Sequence, residues 1–386
     1  MRLIDVDSHF HEPLDWLQDF YPDLARELPP VSQVEFILQF TGGDLLAAIA
    51  PDQRPDDERP LVPSIRDTVA KFPNHAEQTA KFMEEAPGCW DIAARLRLCD
   101  DQGIAVQLIN NTYGRMPYMK AQQVGRQDLA FRAAEAYNTL AAEHLHGHTD
   151  RLIPVALIVD LVDVPWAISE MTRMREAGSR AFHINAAPVS SERSLTHPDL
   201  DAVWSAAEDL GMVVLFHAGP AGPAQINPGW FANGGNPATF GLLNQLHGPA
   251  VKTALAAMIF DGVFERHPKL VVLVEELGIE WLPEFLRRID SLASSNGLTQ
   301  KTTYELPLVP SEYMRRQVRV SALPAKDALR PTIDVIPPEL VVFSTDYPHV
   351  EGTDRPIEIF EEQLEPVAED LREQFFGASA AQLIGV

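Results

Sequence analysis

The sequence predicts a closed (β/α)8 barrel, and three observations carry that prediction. Eight short apolar runs alternate with longer helical stretches along the chain, the order expected of a parallel sheet wrapped by helices. The runs are near-continuously apolar rather than alternating, as strands covered on both faces require. No GxGxxG follows the first run, which removes the usual dinucleotide reason to prefer the structural competitor, an open doubly wound sheet.

The strands read in order as 2–9 (RLIDVDSH), 103–110 (GIAVQLIN), 151–159 (RLIPVALIV), 179–186 (SRAFHINA), 211–218 (GMVVLFHA), 269–276 (KLVVLVEE), 317–323 (QVRVSAL) and 339–346 (ELVVFSTD). Helical patterns fall between and after them at 128–145, 164–178, 197–211, 278–293 and in the tail 357–376. At 197–211, Pro198 suits a first turn and Gly211 a C-cap. The eight units span the chain, so residues 1–386 read as a single barrel domain. That is well beyond the roughly 250 residues of a plain barrel. The surplus falls in an insertion at about 12–100, a Gly-, Pro- and Asn-rich loop at about 219–248, and 294–312. The second of these leaves the carboxyl end of the fifth strand, where barrel active sites sit.

Composition narrows the partners. Of the 386 residues 46% are hydrophobic, ample for a large core, and 31 Lys and Arg against 55 Asp and Glu give a net charge of −24. That balance argues against a nucleic-acid or anionic-membrane surface and leaves a small-molecule substrate. Cys89 and Cys99 cannot make a disulfide framework, and neither a signal peptide nor a membrane span is apparent, so a reduced, cytoplasmic setting is expected.

The chemistry concentrates at the strand ends. Strand periodicity puts Asp5, Asp7, His9 and His11 on one face of the first strand. Burying them together is costly unless a cation such as Zn²⁺, Mn²⁺ or Fe²⁺ satisfies them; alternatively, the two histidines are surface residues at a strand end. His217 closes the fifth strand, Asp346 the eighth, Glu275 and Glu276 the sixth, and His183 lies within the fourth. Period two lets only one of Glu275 and Glu276 face the interior; the alternative is that one glutamate merely pairs with Arg287 or Arg288 on the following helix. His183 is either a second-metal ligand or a core histidine bonded to a carbonyl. His144, His146 and His148 read as capping a helix C-terminus. His247 and His349 are placed to reach substrate, and Arg319, with Arg315 and Arg316, is a candidate partner for a substrate carboxylate. Phe10, Trp230, Phe231 and Tyr347 line a pocket or simply pack.

DVDSHFHEP, HPDLDAVWSAAEDLGMVVLFHAG, FERHPKLVVLVEELGIEWLPEFLRRID, PSEYMRRQVRV and VVFSTDYPHVEG together resemble the amidohydrolase-related branch of the metal-dependent amidohydrolase superfamily, which contains aminocarboxymuconate semialdehyde decarboxylase. The resemblance implies a metal-dependent barrel with His9, His11 and His217 as ligands and Asp346 as ligand or general base. It also exposes two departures. Glu276 stands where the decarboxylases carry a proton-shuttling histidine, and would act as acid or as a further ligand. The fourth strand has no lysine to be carboxylated, so a second ion would need His183.

The expectation is therefore a metal-dependent hydrolase or non-oxidative decarboxylase acting on a small organic carboxylate or amide. Its ion would be zinc first, with manganese or iron as alternatives, at one or two per chain. A dinuclear iron or manganese oxygenase on the same barrel is the second reading, and a non-catalytic metal-binding partner subunit the third. A homodimer or related hetero-oligomer is expected from the surplus loops and extended C-terminal helix.

Overall fold

A computed structural model describes residues 2–28, 84–218, 248–294, 305–324, 327–349, 352–365 and 367–386. Its eight strands all fall inside the predicted runs: β1 Leu3–His9, β2 Ile104–Asn110, β3 Leu152–Val159, β4 Ala181–Ile184, β5 Val213–His217, β6 Val272–Glu275, β7 Val318–Ala322 and β8 Val341–Phe343. They pair in parallel in sequence order from β1 to β8.

Closure comes just past β8. The Asp346 amide donates to the Asp7 carbonyl at 2.8 Å, and the His9 amide donates to the Tyr347 carbonyl at 2.6 Å. Asp5 reinforces the seam. Its buried carboxyl accepts from the Thr345 amide at 2.9 Å, the Thr345 hydroxyl at 2.7 Å and the Gln107 side chain at 2.8 Å. This residue thus ties β1 to β2 and to the end of the last strand, rather than joining the metal-ligand face.

Alternation along the strands explains their continuous apolarity. Val214, Phe216, Val272 and Val274 pack with helical residues such as Leu255, Met258 and Phe264. Val213, Leu215, Leu273 and Val342 form a separate cluster with Ile4, Val6 and the C-terminal Leu383 and Ile384. Both faces are therefore dry. The helices end where the sequence marks them. Asp91 and Asp163 cap their helices by accepting from the Ala94 and Trp166 amides, and Gly211 closes Asp201–Leu210 in the left-handed conformation, φ 60°.

The tail departs from expectation. The predicted helix over 357–376 is broken: Pro356–Leu364 stops at Glu365, which is extended (ψ 127°), and helix resumes at Glu369–Glu373 before a π turn at Gln374–Ala378. The sequence supplies the reason, since residue 366 is proline and the residue before a proline is driven out of the helical region. The π turn brings Gly377 so near the Arg2 carbonyl that a Cβ there would lie 1.8 Å from the oxygen. The insertion's end is also revised: Ile92–Gln102 is the barrel helix that leads into β2. Most of the loop 219–248, with His247, Trp230 and Phe231, lies outside the described residues. Among the described residues no helix is long and apolar enough to cross a membrane.

Candidate metal centre

Two overlapping groups of ligand atoms gather where the strands end, each within 4.8 Å: Asp7, His9 and His217, and His9, Glu276, Asp346 and His349. His9, at the end of β1, belongs to both. Its Nε2 lies 3.2 Å from Asp7 Oδ1, 3.1 Å from His217 Nε2, 3.6 Å from Glu276 Oε1 and 3.7 Å from Asp346 Oδ1. The Nδ1 of His9 contacts the Asn111 carbonyl at 3.1 Å, and that of His217 the Ala218 carbonyl at 2.6 Å. A carbonyl only accepts, so both Nδ1 atoms carry a proton and the two Nε2 atoms face one another. Each Nε2 offers a lone pair when its ring is neutral; against burial, Glu276 and Asp7 raise His217 toward its charged form, so the gap between the rings suits a proton or a metal ion.

The carboxylates make the same demand. Asp7 Oδ2 and Asp346 Oδ2 are buried with no hydrogen-bond partner among the described residues. Orphaned buried carboxyl oxygens beside imidazole nitrogens are a donor set that fits a divalent transition-metal ion.

Backbone geometry resolves the Glu275–Glu276 ambiguity in an unforeseen way. Glu276 has φ 58° and Asp346 φ 56°. Such left-handed residues break strand alternation, so both consecutive glutamates serve the interior. Glu275 is fully buried and accepts from Asn110 Nδ2 at 2.8 Å. Burial and the neighbouring Asp7 charge push its carboxyl well up, toward the neutral form. Glu276 reaches the cluster itself, 2.9 Å from His349 Nδ1 and 3.6 Å from His217 Nδ1. Its ion pairs are with histidines, not with Arg287 or Arg288.

His349 Nδ1 is shared between Glu276 Oε1 and Asp346 Oδ1, both at 2.9 Å, while its Nε2 meets Thr112 Oγ1 at 3.1 Å. Burial opposes charge on this ring, but Asp346 and Glu276 outweigh it and hold the imidazole well above its ordinary range. The two carboxyls are driven apart. Burial, then the charge of Glu276, raises Asp346 far above the usual carboxylate range. Against burial, His217 and His349 hold Glu276 well below it. A site with one ionised and one protonated carboxyl can both hold and give a proton.

Other sequence candidates sit elsewhere. His11 belongs to neither group; its ring lies 5.4 Å from those of His349 and Tyr113, whereas Asp7, two residues before His9, belongs to one of them. His183 is buried with its ring 5.9 Å from that of His217 and also falls outside both groups. Arg319 lies near the amino end of β7, donating to the Arg315 and Val318 carbonyls, so it is on the wrong end of its strand to meet substrate. Arg315 pairs with Glu339, and Arg316 donates to the Phe264 carbonyl. His144 does not cap its helix: it meets the Trp90 carbonyl at 2.8 Å and stacks on that indole, and burial pushes it toward the neutral form.

The amidohydrolase family profile matches residues 6–386. The chain belongs to the amidohydrolase family. A curated relative, the 2-amino-3-carboxymuconate-6-semialdehyde decarboxylase of Dictyostelium discoideum, is 24% identical over 309 residues, 79% of each chain. Among solved structures, an amidohydrolase from Mycobacterium avium subsp. paratuberculosis is similar with TM-score 0.72 at 23% identity, covering 100% of this chain and 98% of its own. A 5-carboxyvanillate decarboxylase from Novosphingobium aromaticivorans, a point mutant with bound manganese and 3-methoxy-4-hydroxy-5-nitrobenzoic acid, is similar with TM-score 0.66 at 19% identity, covering 100% and 97%.

Within this amidohydrolase, sequence reasoning missed the groups that hold the ligands in place. Arg95 is fully buried, donates to the His9 carbonyl and to the Gly88 carbonyl, and stacks 4.6 Å from the Tyr347 ring centre. It fixes the end of β1 from behind. Asn110 links Glu275 to Asp7 Oδ1 at 3.3 Å. Neither had a readable signal, because an arginine in a helix and an asparagine at a strand end are ordinary on their own. Asp7 had one: it shares the strand face of His9.

Proposed function

We propose that this chain is a single-metal decarboxylase of small aromatic carboxylates. The observation that carries the reading is the pair of imidazole Nε2 atoms of His9 and His217, 3.1 Å apart, with the Nδ1 of each ring turned to a backbone carbonyl. Asp7, His9 and His217 would hold the ion, with Asp346 alongside. Both ligand groups use His9, whose Nδ1 is already engaged, and one free nitrogen supports one ion rather than two. That weighs against the dinuclear oxygenase. A bound divalent ion supplies a positive anchor for a substrate carboxylate and neighbouring oxygen.

The side chains then handle the proton. Loss of CO₂ breaks a carbon–carbon bond, and the ring carbon must gain a proton in exchange. Asp346, whose carboxyl burial and Glu276 push toward the acid form, is the group placed to give it. His349, bonded to both carboxyls, restores the proton to Asp346, while Thr112 holds the far edge of its ring. Glu276 thereby takes the place of the absent sixth-strand histidine by acting through His349. The decarboxylase relatives, one of them crystallised with manganese, support this choice of reaction and make manganese the ion to test before zinc.

The test is direct. Purified protein, stripped and reloaded with Mn²⁺, is assayed for CO₂ release from a panel of hydroxylated benzoates and for ammonia or alcohol release from matched amides and esters. CO₂ release that vanishes on chelation and returns with metal is expected; hydrolysis in its place would make this a hydrolase.

A further inference from the structure

We propose that Arg115 is the specificity-determining residue of this site, binding a second anionic group of the substrate while the first engages the metal end. The inference deepens the decarboxylase reading and rests on it for the position of that first group.

Arg115 lies in the turn that leaves β2 and enters the helix Met116–Gln123. It follows Thr112, whose hydroxyl meets His349 Nε2 at 3.1 Å, by three residues in the same turn, and the charges of Glu276 and Glu12 act on its guanidinium. Yet its Nε is buried without a hydrogen-bond partner, and no described side chain forms an ion pair with it. The residue as a whole is partly buried, and a guanidinium nitrogen withdrawn from water is normally paired, because desolvating it is otherwise expensive. The nearby acids give little relief. Glu276 is already taken up by His349 and His217, and burial pushes the Glu12 carboxyl up to about 7, so near neutral pH it supplies only part of a countercharge.

The turn is built to hold this cation still. Glu12 Oε2 accepts from the Tyr113 amide at 2.7 Å and from the Thr112 amide at 3.2 Å. Gly114 packs flat on Tyr137, where a Cβ would lie 2.2 Å from the ring. The same turn carries Thr112, which positions His349. A planar fork of donors, rigidly mounted and lacking a partner, suits a carboxylate or a comparable oxyanion.

The experiment measures binding by calorimetry to full-length protein, with and without Mn²⁺. The probes are benzoate and the three benzenedicarboxylates (phthalate, isophthalate and terephthalate). For wild type, at least one dicarboxylate is expected to bind ten-fold or more tightly than benzoate. Arg115→Met should reduce that advantage to within two-fold while moving benzoate itself by less than two-fold. Arg115→Lys, which keeps the charge without the fork, should restore part of it, and serves as the test variant if Arg115→Met does not fold. An advantage that survives in the variants, or its absence in wild type, overturns the proposal. Mn²⁺ stoichiometry is read separately. A wild type that binds no metal sinks the decarboxylase reading, whereas the dependence of dicarboxylate binding on residue 115 is still decided in the metal-free samples.

Discussion

His9 and His217 meet nitrogen to nitrogen, their Nε2 atoms 3.1 Å apart and each ring pinned at its other nitrogen by a backbone carbonyl. Residues 208 positions apart in sequence are thus oriented by the carbonyls of Asn111, just past β2, and Ala218, just past β5, so that each Nδ1 carries a proton before any ligand arrives.

Replacing His9 by alanine removes the atom common to both ligand groups. Metal bound per chain should fall by more than the roughly 10–100-fold that loss of an outer partner costs. His144→Ala, far from the cluster, should leave metal content unchanged. Elemental analysis of both proteins, with circular dichroism to check folding, decides the point.

Glu276→Gln keeps the shape of the side chain but removes the charge that holds His349 protonated and drives Asp346 toward its acid form. Turnover should drop by about 10²-fold, the scale of a lost acid–base contribution, with metal content retained. Single-turnover CO₂ release measures it. A variant with wild-type turnover would remove Glu276 from the proton path.

Glu12 gives a pH dependence of stability with a definite sign. Burial raises its carboxyl to about 7 from an ordinary value of 4.5, so the folded protein keeps a proton that the unfolded chain releases. Stability from this group is full below pH 4.5 and is lost as pH rises toward 7. Urea unfolding at about pH 5 and about pH 7.5, either side of most of that window, should show a smaller loss in Glu12→Gln than in wild type.

Gly114→Ala places a methyl group 2.2 Å from the Tyr137 ring. Overpacking of this kind costs about 1–3 kcal/mol. Denaturant midpoints should report that loss, and because the turn carries Thr112 and Arg115, activity should fall with it.

Cys89 and Cys99 are buried, and burial pushes both thiols up to about 11. Since the thiolate is the reactive form, the native protein should be nearly inert to a thiol reagent at about pH 8. Two thiols per chain should react once it is unfolded.

The barrel was legible because strands buried on two faces must be apolar throughout, and all eight such runs became strands. His9, His217, Asp346 and Glu276 stand out in the sequence because polar groups at the ends of apolar runs have few structural reasons to be there, and the structure gathers them in the two groups of ligand atoms. His11 falls outside both groups: period two holds only while the strand lasts, and β1 ends at His9. The roles of Arg95, Asn110 and Arg115 depend on distances between elements that no local pattern encodes. Arg319 sits at the start of its strand, at the end of the barrel opposite the cluster.

Glu276 and Asp346 keep backbone angles that glycine would adopt at far lower cost. Selection for heat resistance alone would therefore reward replacing the two residues that give the site its chemistry. A laboratory evolution campaign on this enzyme that screens only for survival at high temperature should accumulate robust but inactive clones mutated at 276 and 346, and turnover has to be part of the screen to retain them.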